Sequence, residues 1–285
     1  MVARLITAAV GIVLVIGLLF LGESMPIAIT IAIALVTGLM CGELLTAKGL
    51  HKNLRISIPS ILFGIAMPLL SSTDFVFIPL YLFTVILFIT AVLCHEKISA
   101  DETMFAFGGS LLITLSMTSI ARVACGENGL SPLFSATDSD KVFTAFFIVL
   151  TLAIPWFADS GAYFAGMLFG KHKLCPTISP KKTVEGAVGG LVCGFLSSLL
   201  VGYVFTLIYP GANINYIPLI IIGLINPIVS IFGDLTFSII KRACGIKDFG
   251  SIMPGHGGML DRFDSIILCA PLVFIVSQYF TVISY

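Results

Sequence analysis

Charge is what this sequence has least of. Asp, Glu, Lys and Arg make up 11% of its 285 residues, against about 25% in a soluble globular domain. So little charge does not cover a water-facing surface. This excludes an ordinary soluble fold and makes a bilayer most of the chain's solvent. Nor is one sign in excess. The 15 basic residues balance 15 acidic ones, which excludes nucleic-acid binding driven by bulk positive charge. The seven cysteines (Cys41, Cys94, Cys125, Cys175, Cys193, Cys244 and Cys269) are odd in number and widely spaced, with no CxxC. That pattern excludes a disulfide framework and a zinc cluster, and most of them read as small apolar residues in helices. No repeat period, low-complexity tract or inter-domain linker interrupts the chain, so residues 1–285 read as one membrane domain.

What the sequence has is apolar runs. Hydrophobic residues make up 58% of it. Nine runs lie near residues 5–22, 26–46, 56–72, 75–94, 103–121, 142–168, 184–208, 216–239 and 263–283. Each is long enough, or nearly so, to cross a hydrocarbon core about 30 Å thick at about 1.5 Å per residue. Lipid offers no hydrogen bonds to an exposed backbone, so these runs should be helices. The expected fold is all-α, a polytopic transmembrane helical bundle of about nine spans. The first run lacks an A-x-A cleavage site and reads as a retained span rather than a signal peptide. The third run is short and holds Pro59 and Pro68. The sixth holds Pro155 and Asp159, which predicts a kink or break there.

Basic residues set the expected orientation. With the N-terminus inside and the runs alternating, the inside segments hold Arg4, Lys48, Lys52, Arg55, Lys97, Lys171, Lys173, Lys181, Lys182, Lys241, Arg242, Lys247 and Arg262. The outside loops hold only Arg122 and Lys141. This 13-to-2 split predicts a cytoplasmic N-terminus and an external C-terminus. The polar outside stretch 122–141 reads as a connector. Residues 1–121 read as packing helices, with Glu43 near the inner end of the second run open to either a structural or a functional role. Residues 142–285 hold nearly all the unusual polar chemistry.

The densest polar stretch is the inside loop from Gly233 to Ser265. Asp234 lies in an apolar run, where a carboxylate is costly unless it is paired or binds a cation. Ser238 and Lys241 follow at i+4 and i+7, on the same helical face. Next comes the glycine-rich segment Pro254-Gly255-His256-Gly257-Gly258, where absent side chains let backbone N–H groups approach an anion. Lys241, Arg242, Lys247 and Arg262 surround it in sequence, and phosphate is the natural anion for that setting. Asp261 and Asp264, at i,i+3, share a helical face and suit one cation, which Asp234 could help hold. Magnesium, as one or two ions, prefers such hard oxygen ligands. In the other inside loop, from Gly170 to Gly186, Ser179-Pro180 reads as an N-cap with Pro at N1. Lys181 and Lys182 would then occupy a first helical turn, where cations oppose the helix dipole unless an anion binds there. Glu185 is placed to pair with either lysine. Asp159 is a further polar candidate. Gly186, Gly190 and Gly194 have the spacing of a helix-packing face. Gly166 to Lys171 only echoes a phosphate-binding loop, with the wrong spacing.

From Ser238 to Asp264 the sequence reads SIIKRACGIKDFGSIMPGHGGMLDRFD. It closely resembles the signature of the phosphatidate cytidylyltransferase family: S-x-x-K-R-x4-K-D, then P-G-H-G-G, then D-R-x-D. Every polar position of that signature is present. Met253 stands where the family more often has leucine, isoleucine or phenylalanine. The segment ISPKKTVEG, residues 178–186, resembles the family's second conserved stretch. The two motifs cover about 36 residues, and the hydropathy of the remainder is compatible with the family's polytopic fold.

The resemblance implies attack of a phosphatidic acid phosphate on the α-phosphorus of CTP, giving CDP-diacylglycerol and pyrophosphate. It also implies magnesium and a homodimer. Asp234, Asp261 and Asp264 are then the expected metal ligands. Lys181, Lys182, Lys241, Arg242, Lys247 and Arg262 are the expected phosphate-binding cations. His256, Gly257 and Gly258 are expected at the nucleotide phosphates, with Asp248, Ser238 and Glu185 completing the site. CTP is cytosolic and both loops fall on the inside, consistent with a site facing the cytoplasm of a bacterial inner membrane and open sideways to lipid. Two other readings stay open on residues alone. Asp159 and Asp234 within apolar runs would suit an ion-coupled transporter, and another CTP-dependent membrane enzyme would differ in its lipid acceptor. A CDP-alcohol phosphotransferase is disfavoured, because its D-G-x2-A-R motif is absent.

Overall fold

The computed structural model describes residues 2–25, 27–73, 75–124, 138–253, 255 and 257–284. Its helices are α1 (Val2–Ser24), α2 (Ile27–Ala47), α3 (Leu54–Leu69), α4 (Phe77–Leu93), α5 (Ala100–Val123), α6 (Asp138–Phe169), α7 (Val184–Ile208), α8 (Tyr216–Ala243) and α9 (Leu260–Tyr279). One 3-10 turn, Leu50–Lys52, follows α2. Among the described residues there are also two short antiparallel pairs: β1 (Lys173–Cys175) with β2 (Ser179–Thr183), and β3 (Asn213–Ile214) with β4 (Ile283–Ser284). The all-α expectation holds, and each apolar run falls on one helix. Among the described residues, five helices, α2, α5, α6, α7 and α8, are long and apolar enough to cross a membrane. α6 runs continuously through Pro155 rather than breaking there. Most of the connector 122–141 lies outside the described residues.

The chain divides into two units: residues 1–136 with 244–263, and residues 137–243 with 264–285. In the first, α2, α3 and α5 pack together, with α4 against α3 and α5. Phe63 of α3 stacks on Phe83 of α4 with ring centroids 4.4 Å apart, and Leu45, Ile56, Leu87 and Ala106 close the core around them. α5 starts with a complete capping box: the Ser99 hydroxyl accepts from Glu102 N–H, and the Glu102 carboxylate accepts from Ser99 N–H.

In the second unit α7 packs against α6 and α8. The reason is written along α7. Gly186, Gly190, Gly194, Ser197 and Ser198 are buried on one face, while Val188, Val192, Leu196, Leu200 and Leu207 are exposed on another. Such a helix turns its small residues inward and its large apolar ones toward lipid. A Cβ on Gly190 would stand 2.9 Å from the Ala158 carbonyl oxygen of α6. One on Gly194 would stand 2.5 Å from Pro227 Cγ of α8. The expected glycine face is therefore a packing surface that holds α6, α7 and α8 at close range.

Candidate active site

In the second unit, the polar groups sit along α8 and the helices beside it. Asp234, Ser238 and Lys241 do share the face that their spacing predicts. The Ser238 hydroxyl donates to Asp234 Oδ1 at 3.3 Å. The Lys182 ammonium reaches Asp234 Oδ2 at 2.5 Å, with both side chains about three-quarters buried. Lys241 Nζ donates to Asp264 Oδ2 at 3.4 Å, and both residues are buried. The approach of α9 that makes this pair possible depends on Gly233, where a Cβ would stand 2.8 Å from the Asp264 carbonyl oxygen. Asp264 Oδ1 accepts from Ser265 N–H at 2.8 Å, and the Ser265 hydroxyl donates to Asp159 Oδ2 at 3.2 Å. Asp264 also lies within electrostatic reach of both Asp159 and Asp234. Three carboxylates and two ammonium groups thus gather among apolar helices. One and two turns before Asp234 on α8, Ser230 and Asn226 extend the polar stripe. Both are fully buried, and their side-chain polar atoms have no hydrogen-bond partner among the described residues.

The hairpin corrects one expectation. Ser179 and Pro180 do not start a helix; Ser179–Thr183 is a strand, so Lys181 and Lys182 are not in a first helical turn. The N-cap is Thr183, whose hydroxyl accepts from Gly186 N–H at 3.1 Å. Lys181 and Lys182 thus precede the N-cap rather than occupying the first helical turn. Glu185 occupies that first turn instead, and it pairs with neither lysine. Its carboxylate accepts from the N–H groups of Lys171 and His172 and meets His172 Nδ1 at 2.6 Å. Lys181 is exposed, while Lys182 is the lysine turned to Asp234.

In the first unit, two carboxylates hold the glycine-rich loop between α8 and α9. Asp261 Oδ2 accepts from Phe249 N–H at 2.7 Å and Gly258 N–H at 3.0 Å. Glu43 of α2 accepts from Met259 N–H at 2.9 Å and Leu260 N–H at 2.7 Å, one bond to each oxygen. These are among the first N–H groups of α9, which have no partner within a helix. A Cβ on Gly258 would stand 2.6 Å from a Glu43 oxygen. Gly250 is under the same constraint, at 2.6 Å from Glu43 Oε1. Gly257 has φ +86°, and its carbonyl accepts from Met253 N–H at 2.9 Å. The loop's start also lies near the end of α2: burial pushes the Cys244 thiol up, with the Lys48 charge opposing.

Of the predicted site residues, Lys182, Asp234, Ser238, Lys241 and Asp264 meet one another in the second unit. Asp261, Gly257 and Gly258 meet in the first. Arg242, Lys247, Asp248 and Arg262 are exposed. His256 lies outside the described residues. Of the expected ligand trio, Asp234 and Asp264 lie in the second unit and Asp261 in the first. Among the described residues, no group of three or more His, Cys, Asp or Glu side chains is arranged to hold a metal. Each of Asp234, Asp261 and Asp264 already accepts hydrogen bonds from the protein, and each offers hard carboxylate oxygens, a donor type that suits magnesium. The sequence left Glu43 and Asp159 undecided, and of the two it is Glu43 that holds the loop. Its only sequence signal was a carboxylate at the inner end of an apolar run.

Residues 2–280 match the model of the family described as the cytidylyltransferase family. Curated proteins similar to this chain include a phosphatidate cytidylyltransferase of Staphylococcus haemolyticus, 46% identical over 140 residues, which are 49% of this chain and 51% of that protein. Proteins of the same name from Staphylococcus saprophyticus and Staphylococcus aureus are 46% and 44% identical over 127 residues, 45% of this chain and 47% of each relative. The chain spans about half the length of the curated relatives it matches. With its apolar helices, this likeness marks an integral membrane protein.

Proposed function

The chain belongs to the cytidylyltransferase family, and we propose that it transfers the cytidylyl group of CTP to phosphatidic acid. A lipid phosphate oxygen forms the new bond to the α-phosphorus, the α–β phosphoanhydride bond breaks, and pyrophosphate leaves with CDP-diacylglycerol as product. The observation that carries this reading is the cluster of Asp234, Lys241 and Asp264 in otherwise apolar helices, joined by Lys182 from β2. A phosphomonoester with a second pKa of about 6 is already largely ionised at neutral pH, so no strong general base is needed. The difficulty is to bring two anions together and hold them in line. Lys182 and Lys241 are positioned cations for that task. Lys181, Arg242, Lys247 and Arg262 offer exposed charge to phosphates, with His256 and Gly257 at the nucleotide. Asp234 and Asp264 would hold magnesium, which when bound supplies charge neutralisation on the triphosphate.

The 13-to-2 distribution of basic residues supports nine spans, with the N-terminus cytoplasmic, the C-terminus external and the site facing the cytoplasm of a bacterial inner membrane. A homodimer is the assembly that the resemblance implies. The test is transfer of radiolabelled CTP into lipid by the purified protein with phosphatidic acid and magnesium, beside an EDTA control. Labelled CDP-diacylglycerol that disappears with EDTA is the expected result. Folded protein that labels a different lipid acceptor overturns the choice of acceptor. Folded protein that consumes CTP with no acceptor overturns the reaction.

A further inference from the structure

We propose that Glu43 is the positioning residue of the glycine-rich loop, and that α2 thereby takes part in setting the site's geometry. Three observations converge on its carboxylate. It is 7% exposed on an otherwise apolar helix, a placement that costs free energy unless its oxygens are satisfied. Both oxygens are satisfied, and by backbone rather than by a cation: Met259 N–H and Leu260 N–H, at 2.9 and 2.7 Å. Finally, Gly250 and Gly258 leave the space it occupies, since a Cβ on either would come within 2.6 Å of a carboxylate oxygen. A residue 217 positions away along the chain thus caps α9 from outside.

The consequence lies in what the cap holds. Asp261 and Arg262 are the second and third residues of α9. Asp261 in turn binds Gly258 and Phe249 N–H, next to Asp248 and Lys247. Glu43 and Asp261 together take up four backbone N–H groups of one short segment. Charge-assisted bonds of this kind are roughly twice as strong as neutral ones, and they act where the α9 dipole favours negative charge. Releasing Glu43 would leave the start of α9 and the glycine turn free to shift. A misplacement of about 1 Å in such a constellation is worth on the order of a hundredfold in rate. Glu43 touches no reacting atom in this scheme. It acts through the loop.

The inference rests on the proposed function only for its kinetic arm. The experiment compares wild type with Glu43→Gln, Glu43→Asp and Gly258→Ala, each as the full chain in detergent. Two readouts are used: amide hydrogen exchange, and kcat and KM for CTP. Glu43→Gln keeps the shape but turns an NH2 toward a backbone N–H. It should raise exchange in residues 249–260 at least about tenfold while α3–α5 keep wild-type protection, and lower kcat on the order of tenfold to a hundredfold. Gly258→Ala should reproduce the local exchange change from the opposite side of the contact, and Glu43→Asp should recover part of both effects. Wild-type exchange in the loop of Glu43→Gln overturns the proposal. So does an equal loss of protection throughout α2–α5, which would make Glu43 a general core residue. If the wild-type protein transfers no cytidylyl group, the functional reading fails, and exchange alone still decides the role of Glu43.

Discussion

The Lys182 ammonium, on the strand that leads into α7, lies 2.5 Å from the Asp234 carboxylate inside α8. The pair links the hairpin to the polar face of α8, with each side chain about a quarter exposed. Partial exposure limits its value to stability. A double-mutant cycle of Lys182→Met and Asp234→Asn should give a coupling of about 1 kcal/mol, measured by unfolding in detergent. Its value to catalysis should be larger. Each single variant should lose on the order of a hundredfold in kcat/KM, as removal of one preorganised charge does elsewhere. Near wild-type turnover in Lys182→Met would mean that the pair only braces the hairpin.

Lys241 and Asp264 form the more buried pair, so the balance reverses. Removing one partner leaves an uncompensated charge in a region of low dielectric, which typically costs about 3–5 kcal/mol. Lys241→Met should therefore unfold well below wild type. Lys241→Met combined with Asp264→Leu removes both charges and should regain most of that stability, because apolar replacements of a buried pair are often neutral. Activity should not return with it. Recovery of both stability and turnover in the double variant would take this pair out of the active site.

How much of this was legible depended on the range of the interaction. The nine apolar runs fall on α1 to α9 because lipid leaves a spanning backbone one way to satisfy its own hydrogen bonds. The Asp234–Ser238 contact was legible because it is a single helical turn. The start of α7 was misplaced because Ser179 and Thr183 both offer a capping hydroxyl. What selects Thr183 is the pairing of Lys173 with Thr183 across the hairpin, which no local pattern announces. Gly258 is expected to let backbone N–H groups approach an anion, and a Cβ there would also meet a Glu43 oxygen at 2.6 Å. Both readings require a glycine, and the second depends on a distant partner.

Asp261 and Asp234 should respond differently to magnesium. Asp261 is bonded to Phe249 and Gly258 N–H, whereas Asp234 faces a lysine and a serine. Asp261→Asn places an NH2 against backbone donors. It should lower kcat while leaving the magnesium concentration for half-maximal activity within about twofold of wild type. Asp234→Asn weakens a proposed ligand and should raise that concentration about tenfold or more. Magnesium titrations of both variants at saturating CTP make the comparison. A rightward shift for Asp261→Asn as large as that for Asp234→Asn would return Asp261 to the metal.

The close seating of α7 sets the last prediction, which concerns stability and leaves the chemistry aside. Gly190 meets the Ala158 carbonyl oxygen and Gly194 meets Pro227, so an added methyl at either must push a neighbouring helix away. Neither contact can yield cheaply, because one neighbour is backbone and the other a proline ring. Gly190→Ala and Gly194→Ala should each destabilise by about 1–3 kcal/mol, the usual cost of overpacking. Val188→Leu, on the exposed face of the same helix, should stay within about 0.5 kcal/mol of wild type. Thermal unfolding of the three variants in one detergent decides it. If Gly190→Ala behaves like Val188→Leu, close backbone contact at Gly190 is not what holds α6 and α7 together.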